Sequence, residues 1–221
     1  MTSTYKAMIF DMDGTLIDSM YAWRGVFREF LDKYELQTPA ELVGVPEYPV
    51  GWTAKLVADQ LAKLPEPMTV GEAVEEMYRM VGAHYATGTL ARPGAIEFIE
   101  RLKEHGYIVA IATATPLRYA DIALKRLGFD GMFDLVVSND EIGMGKQDER
   151  YFGWVADKLG VKMEECVIFE DAVYSIRAAK KAGFKVCAIE DYYAWRDKEE
   201  ILSLADRYIA CYADLLEENW D

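Results

Sequence analysis

Four acidic side chains, one hydroxyl and one amine stand where they could together handle a phosphoryl group. Asp11-Met-Asp-Gly-Thr15 follows the apolar run Ala7-Met-Ile-Phe10, and Thr113 closes the run Tyr107-Ile-Val-Ala-Ile-Ala112. Lys146 stands beyond Phe133-Asp-Leu-Val-Val137, and Glu170-Asp171 follows Cys166-Val-Ile-Phe169. Clustered carboxylates repel one another unless a cation sits among them. An all-oxygen donor set favours Mg²⁺, which binds one or two carboxylates and substrate phosphate together. Lys146 would add a second positive charge, as phosphoryl transfer requires. Thr113 can donate a hydrogen bond to a phosphate oxygen. Gly14 lets the chain turn sharply after Asp13, where main-chain N–H groups could cradle an anion. A carboxylate nucleophile would divide one hard displacement into two easier ones.

Those residues work together only if the chain brings the run ends to one place. The runs are continuous, apolar and rich in β-branched residues, as are Lys185-Val-Cys-Ala-Ile189 and Arg207-Tyr-Ile-Ala210. Strands of this kind suit a parallel sheet covered on both faces. Helical patterns over Pro93–His105, Leu117–Leu127, Arg150–Leu159 and Ala172–Ala182 alternate with them, and each meets a glycine stop. Strand–helix alternation predicts an α/β fold, a doubly wound, Rossmann-like parallel sheet. In such a sheet the carboxyl ends of the strands share one edge, where ligands bind. The interval between the first two strands breaks the alternation. It carries Met20, Trp23, Val26, Phe27, Phe30 and Leu31 at helical spacing, and Thr38-Pro-Ala-Glu41 and Thr69-Val-Gly-Glu72 read as capping boxes. The expected division is a core of residues 1–17 and 90–221 and a helical insert of residues 18–89, lying over the site as a lid.

At these motifs the sequence resembles the haloacid dehalogenase superfamily, in the branch with a helical cap after the first strand. That branch includes β-phosphoglucomutase-like and phosphoglycolate phosphatase-like proteins. The resemblance rests on Ile9-Phe-Asp-Met-Asp-Gly-Thr-Leu16, Ile111-Ala-Thr113, Gly145-Lys146 and Val167-Ile-Phe-Glu-Asp171, in that order. It implies that Asp11 attacks phosphorus and binds Mg²⁺. Asp13 would act as general acid, then base, while its main-chain carbonyl binds the metal. Thr113 and Lys146 would hold the phosphate and the nucleophile. Asp171 would be the remaining carboxylate ligand, with Glu170 bound directly or through water. Two departures stand out. Gln147-Asp148 replaces the Pro-x-Pro that often follows the lysine, and Ala172 replaces a small hydroxyl residue.

The implied activity is Mg²⁺-dependent hydrolysis of a small phosphorylated metabolite through phospho-Asp11. The alternative is a sugar-phosphate mutase. It is disfavoured because Trp23 aligns where such mutases carry a cap histidine and the Gly44–Gly51 loop has no arginine. A dehalogenase proper would not need Asp13 and Asp171, and a non-catalytic binding protein would not need the whole set. Asp18 reads as the start of the first cap helix, His84 as a cap-surface residue and His105 as a helix C-terminal residue. Tyr48, Trp52, Tyr192, Tyr193 and Trp195 read as loop aromatics fit for binding or packing, and Arg24, Lys55, Arg79 and Arg118 as candidate readers of the leaving group. Glu72, Glu75, Glu76 and Glu217–Asp221 read as solvated acidic faces.

The 221-residue chain carries a net charge of −14, which argues against nucleic acid or an anionic membrane as partner. Attraction for a phosphate must therefore be local. Its three cysteines lack metal-ligand spacing and suit a reducing compartment. With no signal-like start and no membrane-length apolar run, the expectation is a cytoplasmic monomer or weak homodimer.

Overall fold

The computed structural model describes residues 4–42 and 50–216. Tyr48, most of the Gly44–Gly51 loop and the acidic Glu217–Asp221 lie outside the described residues. The chain divides into two compact units, Met1–Asp18 with Thr89–Asp221, and Ser19–Gly88.

The first unit contains β1 (Ala7–Phe10), β2 (Ile17–Asp18), β3 (Leu90–Ala91), β4 (Ile108–Thr113), β5 (Leu135–Ser138), β6 (Cys166–Glu170), β7 (Lys185–Ile189) and β8 (Arg207–Ile209). The order β5-β4-β1-β6-β7-β8 is parallel throughout, with β1 at the centre beside β4 and β6. This is the doubly wound α/β sheet that the apolar runs predict. Alternation along each strand sends Ala7 and Ile9 to one face, where they join Ala110, Ile168, Phe152, Ile176 and Phe184 in one core. Phe10 and Phe169 point the other way. Their rings stack at 4.4 Å and meet Phe98 and Tyr212. A strand buried on both faces has no room for polar alternation, which is why these runs are apolar without a break.

In chain order, α1 (Met20–Lys33), α2 (Val50–Leu56), α3 (Ala58–Leu61) and α4 (Val70–Thr87) form the second unit. In the first, α5 (Ala95–Glu104), α6 (Leu117–Leu127), α7 (Asn139–Ile142), α8 (Tyr151–Leu159), α9 (Val173–Ala182) and α10 (Lys198–Leu204) follow. The capping box at the start of α4 is present. Glu72 N–H donates to Thr69 Oγ1 at 3.2 Å, and Thr69 N–H to Glu72 Oε2 at 2.7 Å. Thr38–Glu41 instead leads into a single 3₁₀ turn, Ala40–Leu42. Asp18 does not begin α1: Ser19 is the N-cap, and Asp18 pairs with Leu90 in the antiparallel β2–β3 ladder. No helix among the described residues is long and apolar enough to cross a membrane.

Asp206, just before β8, ties α9 to the start of β7. It accepts from Lys180 of α9, from Lys185 Nζ at 2.8 Å and from Val186 N–H at 2.9 Å. Burial works to raise its pKa, but these donors outweigh it and hold the carboxyl at about 2. A depressed carboxylate stabilises the fold above its unfolded pKa, and that contribution disappears as pH falls from about 4 towards 2. Asp206→Asn should therefore cost about 1–2 kcal/mol in urea unfolding at pH 7 and little at pH 2.

Candidate active site

The carboxyl edge of the sheet gathers the polar residues singled out from the sequence. Asp11 follows β1, Thr113 ends β4, and Glu170 ends β6 with Asp171 next. Lys146 reaches in from the segment between α7 and α8. All of these are buried; Lys146 keeps only 2 % of its surface exposed.

Lys146 Nζ donates to Asp11 Oδ1 and to Glu170 Oε1, the latter at 2.9 Å. Glu170 Oε2 accepts the Ala172 N–H at 2.8 Å. Burial alone would favour the neutral amine, yet the Asp11 and Glu170 carboxylates hold Lys146 firmly charged. Burial pushes Asp11 up to about 7 against the pull of Lys146, with Glu170 and Asp13 adding repulsion. Asp171 rises well above the usual carboxylate range through burial and repulsion from Glu170 and Asp11. One ammonium thus does not balance the cluster. Asp11, Glu170 and Asp171 each present an oxygen, all within 4.8 Å of one another. A hard divalent cation fits this set: only oxygen donors, buried, with unbalanced negative charge.

Asp13 occupies a turn in which Met12 O accepts both the Leu16 and Ile17 N–H groups and Gly14 N–H donates to Ile17 O. Gly14 has φ +84°, and a Cβ there would stand 2.4 Å from Asp171 Oδ2. Glycine meets both demands at once. Thr15 Oγ1 donates to Asp171 Oδ1 at 2.9 Å. The sequence did not single out Thr115. Its hydroxyl donates to Asp13 Oδ2 at 2.7 Å, and its N–H donates to Thr113 Oγ1 at 3.0 Å. The Thr-x-Thr spacing was the available signal.

A family model for haloacid dehalogenase-like hydrolases matches residues 5–183, a span that contains every residue of this cluster. The chain belongs to this family. It is 31 % identical to a phosphorylated carbohydrates phosphatase of Thermotoga maritima, across 81 % of this chain and 82 % of that one. It is 29 % identical to a validoxylamine A 7'-phosphate phosphatase of Streptomyces hygroscopicus, across 81 % and 83 %. Its fold matches the crystal structure of CbbY from Rhodobacter sphaeroides in complex with phosphate, with a TM-score of 0.78, 23 % identity and 96 % of each chain covered.

As a haloacid dehalogenase-like hydrolase, the chain departs from the common pattern at two places. After Lys146, the Gln147 amide folds back to lie 2.4 Å from where a Cβ on residue 145 would sit. Asp148 then accepts from Arg150 N–H at 3.0 Å and so secures the start of α8 without proline. Ala172 caps α9 with no side-chain bond.

Several other candidates are held within their own units. Arg79 is bound to Glu76 by two bonds, and His84 lies 3.0 Å from Glu29. Trp23 Nε1 donates to the buried Tyr85 hydroxyl at 3.0 Å. His105 is the C-cap of α5. Arg118 lies over the Tyr119 ring. Trp52 belongs to α2 rather than to a loop and is exposed, as are Tyr192 and Trp195.

Gly14→Ala would force either the turn or Asp171 to move. It should lower stability by about 1–3 kcal/mol in urea unfolding; a loss below half a kcal/mol, by the same measure, would show that the turn is not tightly constrained.

Proposed function

We propose that the chain is a Mg²⁺-dependent phosphatase that hydrolyses a small phosphorylated metabolite through a phosphoryl group carried on Asp11. The observation that carries this reading is the buried set of Asp11, Glu170 and Asp171 around a single Lys146. Two relatives named as phosphatases support it. The name of one of them makes a phosphorylated carbohydrate the first class to test.

Mg²⁺ would be held by Asp11, Asp171 and the Asp13 main-chain carbonyl, and would neutralise charge on the phosphate oxygens. Glu170 would bind it directly or through water, while its two oxygens also accept from Lys146 and Ala172. Lys146 orients the Asp11 carboxylate and, with the Thr113 hydroxyl, binds the phosphate. An Asp11 oxygen attacks phosphorus as the bond from phosphorus to the leaving oxygen breaks. Asp13 gives that oxygen its proton. A water molecule then attacks the phosphorus of phospho-Asp11, and Asp13 takes the water's proton. Inorganic phosphate leaves and Asp11 is restored. The Thr115 hydroxyl fixes the Asp13 carboxylate for both transfers.

The mutase reading is not favoured. Trp23, at the position expected for a mutase histidine, is committed to Tyr85 and packs edge-on against Tyr78.

Phosphate release from p-nitrophenyl phosphate and from a panel of phosphorylated sugars tests the proposal. Release should require Mg²⁺, stop with chelator and return on adding Mg²⁺. Asp11→Asn should lower kcat by at least about a thousandfold. Turnover independent of both Mg²⁺ and Asp11 would sink the mechanism, and isomerised sugar phosphate with little free phosphate would favour the mutase.

A further inference from the structure

We propose that Arg92 is a positioning residue that clamps the turn carrying Asp13, with Asp191 as its anchor. The inference rests on the catalytic reading of Asp11 and Asp13 given above. Arg92 follows β3. Its N–H donates to Leu16 O at 2.9 Å, and its Nη2 donates to Gly14 O at 2.8 Å. The same Nη2 is bonded to Asp191 Oδ2. Asp191 lies just beyond β7, and its other oxygen accepts the Tyr193 N–H at 2.7 Å. The pair is enclosed, with side chains 14 % and 2 % exposed. Asp191 is thereby fixed to the sheet edge, and Arg92 transmits that position to the main chain at residues 14 and 16.

The main chain enters that turn through the Asp11 N–H bond to Phe169 O and leaves it through the β2–β3 ladder. The turn's other main-chain bonds run mostly within itself, from Met12 to Ile17. Side-chain links help set its placement: Thr115 to Asp13, Thr15 to Asp171, and Arg92 to Gly14. The Arg92 link matters because the Asp171 carboxylate lies directly against Gly14 and accepts from Thr15. A shift of the turn would therefore displace both the Asp13 carboxylate and the seat of Asp171. Thr113 and Lys146 stand on other segments and would keep their places. Loss of the clamp should then lower turnover far more than it weakens phosphate binding at saturating Mg²⁺.

A buried ion pair is costly to break on one side, because the surviving charge has no partner. Stability therefore has to be measured beside activity. In Arg92→Met, kcat for p-nitrophenyl phosphate should fall about ten- to a hundredfold with KM within about twofold, since misplacing a reacting group by an ångström has that scale of effect. Both contacts of the guanidinium pass through one nitrogen, so the ammonium of Arg92→Lys should recover part of the loss. Its kcat should fall between those of Arg92→Met and the wild type. If Arg92→Met does not fold, Arg92→Lys and Asp191→Asn carry the test, and each should lower kcat without raising KM.

A folded Arg92→Met with wild-type kcat would overturn the clamp. So would a raised KM at unchanged kcat, which would make Arg92 a substrate contact. A Lys variant no better than the Met variant would overturn it as well. Asp11→Asn is assayed in parallel. Full turnover there would overturn the phospho-Asp11 reading and the clamp with it, whereas loss there with Arg92→Met unaffected would overturn the clamp alone.

Discussion

Three buried carboxylates, Asp11, Glu170 and Asp171, share one buried ammonium, Lys146. Like charges this close cannot all remain ionised away from water without compensation. The imbalance shows in the raised pKa values of Asp11 and Asp171, both driven first by burial. Such an arrangement is expensive as pure structure, because apolar residues of similar volume would pack there at no electrostatic cost. Under the proposed function, it is the arrangement that a phosphoryl site with a divalent cation requires. The strongly acidic chain leaves that local positive charge to do the attracting.

The fold exists around that constraint. Parallel strands place Asp11, Thr113 and Glu170 at equivalent ends, because β1 pairs with β4 and β6 in matched register. Phe10 pairs with Ile111 and with Phe169, so Asp11 emerges beside Glu170, with Thr113 one residue further along on β4. The stacked rings of Phe10 and Phe169 fix the level beneath them. Beyond Asp11 the chain leaves the parallel sheet, and side chains join the short β2–β3 ladder in setting the geometry: Thr15 on Asp171, Thr115 on Asp13, and Arg92 on Gly14.

Much of this was legible in the sequence, for a physical reason. Strands buried on both faces read as unbroken apolar runs, and the residues after them are those that the chemistry needs. Glycine stops marked the ends of α6, α8 and α9. What could not be read were contacts whose partner is main chain or remote. Arg92 is a lone arginine before a proline, and its targets are the Gly14 carbonyl and a carboxylate 99 residues away. Thr115 meets Asp13 across 102 residues. The two-residue strands β2 and β3 are too short to show a period, which is why Asp18 read as a helix start. Thr38–Glu41 has the letters of a capping box, but among the described residues it runs into a 3₁₀ turn, Ala40–Leu42.

The central claim is that Asp11 carries the phosphoryl group. The most direct measurement is to quench the enzyme in acid during turnover of a ³²P-labelled phosphomonoester and to map the labelled peptide. The account predicts acid-stable, hydroxylamine-labile label on the peptide containing Asp11, and none in Asp11→Asn. Label on another residue, or burst-free turnover with no labelled peptide at any quench time, would contradict it.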